Sequence, residues 1–247
     1  MVRRTCGDLA TRHATTKVRA VRILGVFLAL LVLVAAAVVW FWRQRTVPPA
    51  LPPQPRTVEQ VIAALGDAVD GRLRPDFQRA GVEYPPPRLV MVAYKAEKRL
   101  DLHAPDARGR LRLVRSYPVL AASGGRGPKF QEGDGQVPEG FYGIELLNPN
   151  SRFHLSLRVN YPNAEDVARA RDEGRDPASL GGDIMIHGGA ASIGCLAMGD
   201  PAAEELFVLA HRTGLDKLEL IMTPGDLREN APETALDERL REALRAL

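Results

Sequence analysis

Ile186-His187-Gly188-Gly189-Ala190-Ala191-Ser192-Ile193-Gly194-Cys195-Leu196-Ala197-Met198 places a histidine, a glycine turn and a cysteine in one short stretch. A nucleophilic thiol needs an imidazole to take its proton and backbone N–H groups to hold the oxyanion that follows. Asp183 to Ile186 reads as a short apolar strand that delivers His187 to the glycines. A tight return through Gly188 to Ser192 then brings the imidazole to Cys195, while Gly194 supplies backbone freedom and room for a ligand. The candidate roles are Cys195 as nucleophile, His187 as general base, and the N–H groups of Gly194 and Cys195 as oxyanion donors, acting on an acyl or amide bond. Two alternatives stand beside this reading. Cys195 as a buried small hydrophobe is one. A zinc site is the other, but it needs three or four ligands, and the remaining histidines, His13, His103, His154 and His211, lie far off in sequence. No metal and no cofactor are expected.

On the C-terminal side, Asp200 and Pro201 read as an N-cap and first-turn proline of a helix running to about His211. Leu218 to Met222 reads as a last strand ended by Pro224, and Leu236, Leu240 and Leu244 as a peripheral helix. On the N-terminal side, period-2 alternation predicts strands at Leu89–Tyr94, Leu100–Ala104, Leu111–Tyr117, Gly140–Leu147 and Phe153–Val159. Asn163 to Ala178 reads as a charged excursion with partial helix. Further upstream, Val58, Val61, Ile62, Leu65, Val69 and Leu73 recur at helical spacing, with Pro75 limiting the segment. Pro48, Pro49, Pro52, Pro53 and Pro55 mark an extended spacer.

From Ile23 to Trp42 no residue is charged, and twenty residues at about 1.5 Å each match about 30 Å of hydrocarbon. Arg3, Arg4, Arg12, Lys17, Arg19 and Arg22 precede it against the single acid Asp8. This pattern predicts a transmembrane anchor, or alternatively a signal sequence cleaved near Ala35 to Ala37, with the main domain exported. The expected placement is single-pass in a bacterial inner membrane, with the cytoplasmic membrane as a partner and the catalytic domain in the periplasm. The net charge of +3 comes from residues 1–22, which contribute +5 and leave −2 for everything beyond. A nucleic-acid binder carries its basic excess on the folded domain, so nucleic acid is not an expected partner.

The expected domain map is a basic leader at 1–22, the anchor at 23–42, a Pro-rich linker at 43–57 and a helical lead-in at 58–87. A catalytic domain then spans 88–224 and a helical tail 225–247. The fold class is mixed, mainly β, with a short inserted helix beside the His/Cys stretch, plus the N-terminal transmembrane helix.

Several blocks occur together in one order. They are the His/Cys stretch, Gly127-Pro-Lys-Phe-Gln-Glu-Gly-Asp-Gly-Gln-Val-Pro-Glu-Gly-Phe-Tyr142, Asn148-Pro-Asn-Ser-Arg-Phe-His-Leu-Ser-Leu157 and Tyr161-Pro-Asn163. Over about residues 88 to 224 the chain resembles the L,D-transpeptidase catalytic domain (YkuD-like) family, in its YafK/DpaA-like murein branch. The resemblance implies a β-sandwich and a thiol enzyme acting on peptidoglycan stem peptides at meso-diaminopimelate through a thioester. It implies Cys195 as nucleophile, His187 as base, and the carbonyl of Gly188 as the group orienting the imidazole. Many members place arginine just after the cysteine, whereas this chain has Leu196-Ala-Met198. The branch tilts the reaction towards hydrolysis that releases murein-linked protein or peptide. Transpeptidation is the second reading, and a non-catalytic wall-binding module is a third. Candidate substrate contacts are Lys129, His154, Arg158, Tyr161 and Ser192, each of which also has an ordinary structural reading. Glu132, Asp134 and Glu139 are expected to order the glycine loop.

Overall fold

Thr57 starts the first helix because its hydroxyl accepts the Gln60 N–H while the Gln60 side chain accepts the Thr57 N–H, a reciprocal cap that satisfies two otherwise orphaned donors. The helix, α1 (Val58–Ala80), turns Val61, Leu65, Val69, Leu73 and Phe77 inward at three- and four-residue spacing. Pro75 does not end it. A proline in a helix interior costs about 3 kcal/mol, but Phe77 is fully buried and packs edge-on against Tyr84 at 5.0 Å, which offsets that cost.

The computed structural model describes residues 32–35, 50–228 and 232–247. Residues 1–49 and 50–247 are separate units, and of the first only an exposed helical turn at 32–35 is described. Among the described residues, no helix is long and apolar enough to cross a membrane. The expected transmembrane helix at 23–42, the cytoplasmic-membrane contact made through it and the single-pass inner-membrane placement are therefore corrected. The rest of that segment, like the basic leader, lies outside the described residues. The spacer is described from residue 50 onward. Arg56 docks it on the 149–154 loop, donating to the carbonyls of Pro149 at 2.7 Å and His154 at 3.0 Å.

Two five-stranded sheets form the domain core. The first is ordered β3 (Leu111–Pro118), β2 (Arg99–Pro105), β1 (Leu89–Tyr94), β10 (Leu218–Thr223), β5 (Gly140–Tyr142). The second is ordered β4 (Ala121–Ala122), β9 (Leu196–Ala197), β8 (Met185–His187), β7 (Ser156–Val159), β6 (Ile144–Asn148). Pairing is antiparallel except for β1 with β10 and β8 with β9. The single strand expected at Gly140–Leu147 is two strands, and the break at Gly143 passes the chain from one sheet to the other. The excursion contains α2 (Ala164–Asp172), and α3 (Asp200–Thr213) follows β9. The last helix, α4 (Ala235–Arg245), is not peripheral. Its Leu240 and Leu244 close a second apolar cluster with Val90, Val92 and Tyr94 of β1 and Ile221 of β10.

Ionic contacts tie α1, β3 and α3 together around Glu205, which is 3% exposed. Its carboxylate meets Arg72 at 2.8 Å, Arg115 at 3.2 Å and the Tyr117 hydroxyl at 2.8 Å. Removing one partner of such a group leaves the others desolvated and unmatched. Glu205→Ala is expected to lower stability by about 3 kcal/mol, the low end for a buried pair because both arginines are about a third exposed. A thermal melt should show this as a midpoint about 6–12 °C lower; an unchanged midpoint contradicts it.

Candidate active site

The parallel ladder between β8 and β9 pairs Ile186 with Leu196 and His187 with Ala197. Paired residues face the same side of a sheet, and alternation repeats every second residue. Cys195 directly precedes β9, so the pairing carries it alongside the chain that enters β8. A single strand pairing thus joins the two halves of the His/Cys stretch.

The His187 ring is 2% exposed and stacks on Phe153 at 4.7 Å between centroids. Its Nδ1 lies 2.5 Å from the Gly188 carbonyl oxygen. A carbonyl only accepts, so Nδ1 carries the proton and Nε2 presents its lone pair. Burial pushes the imidazole pKa below its ordinary 6.5, and the Gly188 bond opposes the shift only in part. A side chain at position 188 is sterically excluded. An added Cβ falls 2.5 Å from Asp200 Oδ1 and 2.7 Å from the Phe153 carbonyl oxygen. Asp200, expected as an N-cap, is the first residue of α3, and Gly199 precedes it without a side-chain cap. The carboxylate turns back instead and accepts the Gly189 N–H at 2.9 Å, fixing the glycine turn beside the imidazole.

The Cys195 thiol lies against the chain entering β8. It donates to the Asp183 carbonyl at 3.6 Å. Burial raises its pKa above the ordinary 9.0, and the Asp183 carboxylate adds to the rise. The Met185 N–H and the Lys129 charge act the other way. Asp183 adopts φ +55°, an unusual backbone for a non-glycine residue. In this resting arrangement no hydrogen bond among the described residues joins Sγ to the imidazole. Both shifts run towards the neutral forms, an imidazole and a thiol.

The two backbone donors are already engaged. Gly194, at φ +93°, directs its N–H to Ser123 Oγ at 2.6 Å, and the Cys195 N–H goes to Ser192 Oγ at 3.2 Å. Ser192 also donates to the Cys195 carbonyl at 2.6 Å, closing the turn on itself.

The other residues singled out from sequence are dispersed. Lys129 is 5% exposed, and its ammonium is held by Asp134 at 2.5 Å and the Gln131 carbonyl at 2.8 Å. These two contacts close the 129–136 loop. Burial alone would raise the Asp134 pKa, but Lys129 and the N–H groups of Gln136, Gln131 and Phe130 hold it at about 2. Tyr161 is buried with its ring 6.2 Å from that of Tyr142, and its hydroxyl has no hydrogen-bond partner among the described residues. His154 pairs with Glu204 of α3 at 2.9 Å. Arg158 reaches Asp183 at 3.2 Å and so borders the thiol, with Glu145 on its other side at 2.9 Å. Glu139 neutralises buried Lys95 at 3.0 Å and accepts the Gly127 N–H. Ser123 and Asp200 were not legible in advance; a small polar residue at a loop end carries no distinguishing sequence signal.

Residues 88–217 match the family described as L,D-transpeptidase catalytic domain, YkuD. The chain belongs to that family, and those residues form its catalytic domain. Among curated proteins, "Putative L,D-transpeptidase YafK" of Escherichia coli K12 is 37% identical over 121 residues, covering 48% of this chain and 46% of that protein. The protein of the same name from E. coli O157:H7 matches equally. The chain thus spans about half the length of the curated relatives it matches. Among solved structures, the helical cell shape determining protein Pgp2 of Campylobacter jejuni aligns at 20% identity with a TM-score of 0.46. That alignment covers 62% of this chain and 52% of that one.

Three outcomes follow from the geometry. Gly188→Ala should push the turn off Phe153 and Asp200 and reduce turnover about 100-fold, as a misplacement of about 1 Å does; steady-state rates at wild-type levels contradict this. Lys129→Met leaves Asp134 unpaired and should lower the melting midpoint measurably, with the deficit shrinking as pH falls towards 2, where the carboxyl protonates. Alkylation of Cys195 by iodoacetamide, which needs the thiolate, should rise with pH through a midpoint above 9.0. A rate already level near pH 6 would instead reveal a preformed ion pair.

Proposed function

We propose that this chain is a cysteine-dependent peptidoglycan enzyme that acts at the meso-diaminopimelate residue of stem peptides and hydrolyses amide linkages to it. The observation that carries the reading is the imidazole with its Nδ1 proton held by the Gly188 carbonyl, leaving Nε2 unprotonated next to the strand pairing that carries Cys195 alongside β8. The step requires Cys195 Sγ to turn from the Asp183 carbonyl towards Nε2. The imidazole takes the thiol proton as the sulfur attacks the substrate carbonyl. The C–N bond of the tetrahedral adduct then breaks, the imidazolium gives its proton to the departing amine, and a thioester is left on Cys195. His187 next deprotonates a water, which attacks the thioester and releases the acid as the thiol recovers its proton. Family membership supports the peptidoglycan substrate class, and resemblance to the YafK/DpaA-like branch supports water as the acceptor and murein-linked protein or peptide as the released group.

The name borne by the E. coli relatives favours a second reading, in which an amine replaces water and the product is a crosslink or a protein joined to the wall. Purified muropeptides carrying meso-diaminopimelate, incubated with the intact chain and with Cys195→Ala, separate the possibilities. The variant should fall to background turnover while still binding. Products heavier by one water mark hydrolysis, and joined stems mark transfer. Wild-type turnover by Cys195→Ala would overturn the thiol mechanism.

A further inference from the structure

Ser123 lies 64 residues upstream of His187, yet the β4–β9 register carries it to the thiol. Ala121 faces Ala197 and Ala122 faces Leu196, so the next residue along β4 reaches Cys195. Its Oγ accepts the Gly194 N–H at 2.6 Å and stands 3.3 Å from Ser192 Oγ. The protons on these atoms can be assigned one by one. Ser192 has a single hydroxyl proton and gives it to the Cys195 carbonyl at 2.6 Å. Its oxygen accepts the Cys195 N–H at 3.2 Å. The contact between the two hydroxyls must then be donated by Ser123. At 3.3 Å it is longer than the roughly 2.5–3.0 Å of a good O–H···O bond. The Ser123 proton therefore has the poorest acceptor in the group. Rotation about the Cβ–Oγ bond redirects it without moving any heavy atom.

We infer that the Ser123 hydroxyl is an oxyanion donor of this site, a role that rests on Cys195 being the acylating nucleophile. When the thiolate adds to a carbonyl, negative charge develops on the carbonyl oxygen beside residues 194 and 195. The Gly194 N–H is already committed to Ser123 Oγ, so its polarity reaches that charge through the hydroxyl, as N–H···O–H···O⁻. Ser123 forms and breaks no covalent bond, and its proton stays on Oγ. The change exchanges a long neutral contact for a charge-assisted one, which is about twice as strong, and hydrogen bonds in such a chain polarise one another. The gain is absent before the charge forms, so it lowers the barrier instead of tightening ground-state binding.

The test compares Ser123→Ala and Ser123→Thr with the unmutated chain in two reactions of the same thiol. Thioester formation on purified meso-diaminopimelate muropeptides, followed in single turnover by intact-protein mass, develops an oxyanion. Alkylation by iodoacetamide does not. Ser123→Ala should slow thioester formation about 100-fold, in line with loss of one oxyanion donor, while its alkylation rate stays within about twofold of wild type. Ser123→Thr, which keeps the hydroxyl, should recover most of the acylation rate. Equal slowing of both reactions in Ser123→Ala would reduce Ser123 to a loop support and overturn the inference, as would an unchanged acylation rate. Failure of the underlying thiol mechanism shows elsewhere, as wild-type product formation by Cys195→Ala.

Discussion

Everything at the candidate site depends on one short parallel ladder, the pairing of Met185–His187 with Leu196–Ala197. Two residues eight positions apart lie at neighbouring strands only because the chain between them returns and runs alongside itself in register. Parallel neighbours ordinarily need a crossover of a dozen or more residues. Here the return from His187 to Leu196 is shorter, and it is held by specific bonds. Asp200 anchors Gly189, Ser192 closes on Cys195, and the Met198 N–H reaches the His187 carbonyl at 2.8 Å.

The electrostatics follow from the same enclosure. The face carrying His187 is buried, so both groups of the pair favour their neutral forms, which suits a mechanism in which the proton moves only as the sulfur attacks. The carboxylate of Asp183 reinforces this at the thiol, while Lys129 opposes it even though its own partner is Asp134. Charged side chains around the thiol thus act largely through the field they set, since their hydrogen bonds are spent on one another.

Support for the ladder extends well beyond it. Arg56 pins the 149–154 loop and with it Phe153, whose ring covers the imidazole. Glu205 and its partners lock α3, the helix that begins at Asp200, to α1 and β3. The end of the spacer and the lead-in helix are bound into this support through Arg56 and Arg72.

Strands such as Leu89–Tyr94 and Leu111–Pro118 were legible because alternation with period 2 is a local property. The His/Cys stretch was legible because its chemistry is written in adjacent residues. The division of Gly140–Asn148 between two sheets was not, since alternation looks the same whichever sheet a strand joins. Nor was the pairing of Lys129 with Asp134, because residue type says nothing about whether a polar atom finds its partner inside the fold or in a ligand. An uncharged run at 23–42 satisfied a length criterion for a membrane span, but hydropathy alone does not establish a helix that crosses one.

Residue order by itself determined the elements, the candidate nucleophile and base, and the family to which the chain belongs. Only the tertiary structure decided which nitrogen of His187 holds the proton, why position 188 admits no side chain, and that Ser123 joins the Gly194 amide. Those outcomes depend on atoms brought together from distant parts of the chain, where distances of a few ångströms set the hydrogen bonds and the local dielectric, and no local pattern encodes them.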